Sequence, residues 1–122
     1  MLRVLFVSVL LTITGPALAD DLETCRDPQA DSKLRLTACE ALMTSGKPTG
    51  KELAMALSVR GNALAAKRDL DGAIVAFGAA HDADPDNVSY LNSRGIVYER
   101  KGDDDHAMAD YNLATPSSLR GA

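Results

Sequence analysis

The chain has 122 residues, with 13 Lys and Arg against 17 Asp and Glu, two Cys, two His and no Trp. That length holds one small domain and excludes a multidomain enzyme, and a formal net charge of −4 argues against nucleic acid, whose phosphates select basic surfaces. With 46% hydrophobic residues the chain can bury a core, and abundant Ala beside 4% aromatics leans towards helices.

Residues 1–19 read as a leader. Arg3 supplies a positive start, Val4 to Thr14 form an apolar run, Gly15-Pro16 break it, and Ala17-Leu18-Ala19 place small residues before Asp20. This pattern predicts a bacterial secretory signal peptide cleaved after Ala19, hence a periplasmic or secreted protein. The apolar run is too short for an anchor, which takes ~20 residues, so no stable membrane insertion is expected after cleavage. In an oxidising compartment an even cysteine count favours a disulfide between Cys25 and Cys39. Closing a loop of about 15 residues is worth ~3 kcal/mol in the chain-entropy model. A metal site would want further ligands at short spacing and a redox pair would want Cys-x-x-Cys. Neither spacing occurs here.

Residues 20–53 suggest one or two helices through Leu34, Leu36, Ala38, Ala41 and Leu42, ending at the break Thr44-Ser45-Gly46-Lys47-Pro48. Beyond it a 34-residue period takes over. Residues 54–87 set above 88–121 give eight identities: Leu57/Leu91, Arg60/Arg94, Gly61/Gly95, Lys67/Lys101, Asp69/Asp103, Asp71/Asp105, Ala73/Ala107 and Ala80/Ala114. Leu64/Tyr98, Ile74/Met108 and Phe77/Tyr111 are conservative pairs. In the first unit Leu53, Leu57, Gly61 and Leu64 recur at helical spacing, Asp69 can cap a second helix, and Ala73, Phe77 and Ala80 form that helix's stripe. Asp84-Pro85-Asp86 ends it, because Pro85 disfavours helical geometry before it. The second unit repeats this with Leu91, Gly95 and Tyr98, then Gly102-Asp103, then Ala107, Tyr111 and Ala114. Small residues at Gly61, Ala73 and Ala80 allow two helices to approach closely. The expected fold is all-α: a short solenoid of antiparallel helical hairpins, about two repeats (54–87 and a shortened 88–114), an N-terminal helical segment and a tail, 115–122.

Leu57, Gly61, Leu64, Ala73, Phe77, Ala80 and Pro85, and again Leu91, Gly95, Tyr98, Gly102, Ala107, Tyr111 and Ala114, resemble the tetratricopeptide repeat at its characteristic offsets. The resemblance covers residues 54–114, about half of the chain. The whole is also similar to small secreted tetratricopeptide proteins of α-proteobacteria, which carry a Cys-containing helix before an Arg-Gly repeat. Two features depart from the pattern. Arg60 and Arg94 stand where the family has an apolar residue, and each is expected to snorkel or to pair with a carboxylate, Asp110 being the candidate for Arg94. The last unit also stops short, since Pro116 ends its second helix near Ala114. The outer face of that hairpin, with Tyr111 and Leu113, is then either uncovered, free to dimerise or to complete an envelope assembly, or folded over by the tail.

Other motifs have plainer explanations. Asp103-Asp104-Asp105-His106 sits at a hairpin turn, where acids cap and complement a helix N-terminus. Asp82-x-Asp84-x-Asp86 lacks the Gly and Glu of a calcium loop and contains Pro85. His81 lies near a helix end, where a cation is favourable. No nucleophile elbow or phosphate loop occurs. No catalytic, cofactor-binding or metal-binding residue is assigned. By resemblance, the first helix of each hairpin lines a concave groove for peptides or partner helices. Carried over by position, that groove is Met55, Ser58, Asn62 and Ala65, then Ser89, Asn92, Ile96 and Glu99. Asn62 and Asn92 can each donate and accept, which suits a peptide backbone, or they are merely solvated. The expected function is that of an exported, non-catalytic protein-interaction module.

Overall fold

The computed structural model describes residues 16–116. Within them the chain is all-helical, running α1 (Pro16–Arg26), α2 (Ser32–Ser45), α3 (Gly50–Ala66), α4 (Leu70–Ala83), α5 (Ser89–Lys101) and α6 (Asp104–Ala114). The second helix of each successive pair opens on an aspartate, whose carboxylate takes backbone N–H groups that have no helical partner. Asp31 accepts from Lys33 and Leu34 at 3.1 Å, Asp69 from Gly72 at 3.0 Å and Asp103 from His106 at 3.3 Å. The turns α3–α4 and α5–α6 share one backbone pattern. Asp69 N–H bonds the Leu64 carbonyl and Asp103 N–H the Tyr98 carbonyl, each at 2.9 Å. That turn needs a left-handed residue, met by Gly102 at φ 84° and, 34 positions earlier, by Arg68 at φ 66°. Only glycine adopts this backbone without a Cβ clash, so Arg68 carries a cost of about 1 kcal/mol.

The helices stack as three hairpins, α1–α2, α3–α4 and α5–α6, with α2 packed on α3 and α4 on α5. The N-terminal segment is thus a complete hairpin rather than a loose appendage. It brings the stack to the three units that such repeats need to cover one another's faces. Cys25 in α1 and Cys39 in α2 are joined by a disulfide with Cα atoms 5.0 Å apart. Around it gather Ala38, Leu42, Ala56 and Val59, with Leu18, Leu22, Leu36, Met43 and Met55 packed against them. The apolar run of the expected leader lies outside the described residues. α1 itself runs through the Ala19–Asp20 bond, and cleavage there would remove Leu18 from this cluster and leave a stub tied to α2 by the disulfide. A second cluster joins Ala65, Ala73, Phe77 and Val97, with Leu64, Leu70 and Ile74 against it. No helix among the described residues is long and apolar enough to cross a membrane.

Two contacts set the hairpin spacing. A Cβ built on Gly61 would lie 3.0 Å from the Phe77 ring, and one on Gly95 would lie 2.6 Å from Tyr111 Cε1. These are the same contact 34 residues apart, with an aromatic of the second helix resting on bare backbone of the first. The two arginines behave differently. Arg94 grips Asp110 of its own hairpin through Nε at 2.8 Å and Nη2 at 2.7 Å, and Asp110 is only 3% exposed. Arg60 finds Ala76 at the matching place and instead grips Glu40 of α2, with both guanidinium ends on both carboxylate oxygens. Planar two-point pairing of this kind is what Arg, unlike Lys, provides.

Phe77 is 2% exposed and has nowhere to go. Gly61→Ala should therefore cost about 1–3 kcal/mol through overpacking, whereas Tyr111, half-buried at the end of the stack, can swing away from Gly95→Ala at lower cost. Urea unfolding of both variants checks the order, and equal losses would contradict it. Asp110→Asn should cost about 2–3 kcal/mol by stranding Arg94, since breaking a buried pair is expensive. Glu40→Gln should cost at most about 1 kcal/mol, because both partners there are about two-fifths exposed. The same unfolding experiment decides whether burial separates the two pairs in this way.

Candidate functional site

α3 and α5, the first helices of hairpins two and three, place the eight residues carried over by position in three environments. Asn62, Ser89, Asn92, Ile96 and Glu99 are exposed, Met55 and Ser58 are half-buried, and Ala65 is buried. Met55 packs on the disulfide cluster, and the Ser58 hydroxyl is occupied by its own helix, donating to the Met55 carbonyl at 2.7 Å. Ala65 belongs to the second cluster, and its carbonyl takes Arg100 Nη2 at 3.3 Å. The Ser89 hydroxyl donates to Asn87 Oδ1 at 2.6 Å in the turn before α5. Glu99 accepts the Tyr111 hydroxyl at 2.6 Å. The residues left facing solvent without such local duties are Asn62, Asn92 and Ile96, the last 52% exposed.

Asn62 stands on the edge of a cleft of about 190 Å³ between α2 and α3, lined also by Ser32, Arg35, Leu36, Val59, Ala63 and Ala66. The cleft has a simple origin. Ala63 occupies the position that Val97 takes 34 residues later, and the smaller side chain leaves the α2–α3 junction less filled than the α4–α5 junction. Arg35 is held there by its Nε bond to the Cys25 carbonyl at 2.8 Å. Its part could not be found from the 34-residue period, which does not reach α2. The nearest signal was the apolar spacing around Leu36. A second, open cleft joins Lys51 to Asp84, Asp86, Asn87 and Tyr90 beside the start of α5. Burial, and then the Asp84 charge, push the Tyr90 phenol above its ordinary value.

Acidic motifs fall where turn chemistry puts them. His106 Nδ1 lies 2.6 Å from Asp103 Oδ2, and that bond, with the backbone N–H of His106, holds the Asp103 carboxyl below its usual range. The His106 ring also stacks on Tyr98 with centroids 5.0 Å apart. His81 occupies the last turn of α4, and its Nδ1 is enclosed without a hydrogen-bond partner among the described residues. No group of three or more His, Cys, Asp or Glu side chains able to hold a metal ion occurs among the described residues. Comparison of the chain with protein-family models, with curated proteins and with solved structures finds no match.

Tyr111 gives the surface a titratable marker. The hydrogen bond to Glu99 pushes its phenol up to about 12, above the ordinary value near 10. A raised folded pKa contributes stability that is fully present below pH ~10 and lost as the pH rises through the folded value. Ultraviolet titration should show a phenol ionising near 12, and Glu99→Gln should bring that Tyr111 component back towards ~10 while leaving the raised Tyr90 in place. A tyrosine titration curve that Glu99→Gln leaves unchanged would contradict the assignment.

Proposed function

We propose that this chain is a short tetratricopeptide-type solenoid, exported from the cytoplasm, that acts as a non-catalytic interaction module. It holds a peptide or helix of a partner protein against the exposed face of α3 and α5. The observation that supports this most is the exposure of Asn62, Asn92 and Ile96 on the first helices of successive hairpins. The amides can satisfy a peptide backbone whatever its side chains, and Ile96 offers an apolar anchor. The α2–α3 cleft adds a pocket with an apolar floor of Leu36 and Val59 beside Arg35 and Asn62. Export is supported by the disulfide, which persists in oxidising compartments, and by the Ala17-Leu18-Ala19 sequence before Asp20.

The test is capture from a periplasmic extract by the oxidised protein, with identification of retained partners. Asn62→Ala with Asn92→Ala should abolish stoichiometric capture while leaving helical circular dichroism unchanged. Ile96→Asp should do the same. Capture that survives all three changes would remove this face from the argument.

A further inference from the structure

The junction between hairpins two and three is a seat and a knob. The seat is formed by Leu64, Ala65, Leu70, Ala73, Ile74 and Phe77 of α3 and α4, and the knob is Val97 of α5. Two polar links hold it: Lys101 Nζ on Asp71 Oδ1 at 2.5 Å and Arg100 on the Ala65 carbonyl. Leu64 advances to Tyr98, which stacks on His106 instead, and the other five seat residues advance by 34 positions to Glu99, Asp104, Ala107, Met108 and Tyr111. Those five residues line a cleft of about 260 Å³ at the far end of the third hairpin. Asp71, the acceptor for Lys101, advances to an identical residue, Asp105, exposed in the first turn of α6. Most of the socket that α5 fills is thus built a second time on α5 and α6.

What the second socket keeps and what it changes together specify its occupant. It keeps the Ala floor, an aromatic wall, a flexible apolar wall at Met108 (61% exposed) and the carboxylate that received Lys101. It changes Ala65 to Glu99 and Leu70 to Asp104, so two apolar walls become acidic. We propose that this end seat docks a basic amphipathic helix of a partner protein. An apolar knob of that helix rests on Ala107, Met108 and Tyr111. A Lys or Arg four residues later, at the Val97-to-Lys101 spacing, pairs with Asp105, and further basic residues meet Glu99 and Asp104. The seat shares Glu99 with the groove carried over by position, but it includes neither Asn62 nor Asn92 and does not rest on that reading. Its partner charge also follows from complementarity, which sets register and encounter rate.

The probe is a fluorescent, alanine-based helical peptide carrying Val with Arg and Lys three and four residues later, titrated into the full, oxidised chain by anisotropy. Saturable binding is expected, weakened at least tenfold by Asp105→Lys and by Met108→Asp with helicity retained. Replacing the probe's Lys by Glu should restore binding to Asp105→Lys, and Asn62→Ala with Asn92→Ala should leave binding unchanged. No saturation at millimolar probe, or equal binding of a probe with its Lys moved by two residues, would overturn the proposal. So would a tenfold gain in affinity for a chain ending at Pro116, which would assign the seat to the chain's own residues 117–122, with Leu119 and Arg120. A dimer in sedimentation that Met108→Asp dissolves would assign it to a second copy and overturn the proposal equally.

Discussion

The ring of Phe77 lies on the backbone of α3 at Gly61, and the rest of the stack takes its dimensions from that contact. With no side chain at Gly61, the two helices come close enough for Ala73 to be completely buried and for Ala65 and Val97 to close over the ring. Interiors are packed to crystal-like density, so a methyl group at this point would propagate to the α5 junction. Tyr111 repeats the arrangement on Gly95 at the end of the stack, where no later hairpin encloses it among the described residues. Its hydroxyl reaches Glu99, a polar finish that Phe77 could not supply.

The equivalent arginines show how one repeated position can serve two purposes. Arg94 binds its own hairpin together because Asp110 faces it from α6. Arg60 has Ala76 there and turns back to Glu40, fastening hairpin two to hairpin one. Lys101 on Asp71 fastens hairpin three to hairpin two. Each junction therefore has a charged link outside an apolar contact. The more exposed links add register rather than much stability.

Much of this was legible because it is local. Apolar spacing marks α3 to α6, Asp69 and Asp103 mark two helix starts, and Pro116 marks the end of α6 just after Ala114. The Arg94–Asp110 pair was legible since both lie within one unit. Glu40 as the partner of Arg60 was not, because it comes from a segment that the period does not cover. α1 was hidden by straddling the end of the expected leader, although Leu18, Leu22 and Cys25 do recur at four and three residues. In the candidate surface, position within a repeat does not give the depth of each residue. Met55 is drawn inward by the disulfide cluster and Ala65 by Val97, and both effects are tertiary.

Packing runs chiefly between helices adjacent in the chain, so local opening proceeds from the ends rather than everywhere at once. The two ends differ. At the C-terminal end, α5 and α6 can lift off by withdrawing Val97 and releasing Lys101 and Arg100, with no covalent restraint. At the N-terminal end, the disulfide keeps α1 beside α2 even when their packing loosens, so re-closure is a short intramolecular search. Amide protons of the central hairpin should exchange most slowly, and fraying should be lopsided, with the last hairpin the first to loosen and the cross-linked one held near its folded form.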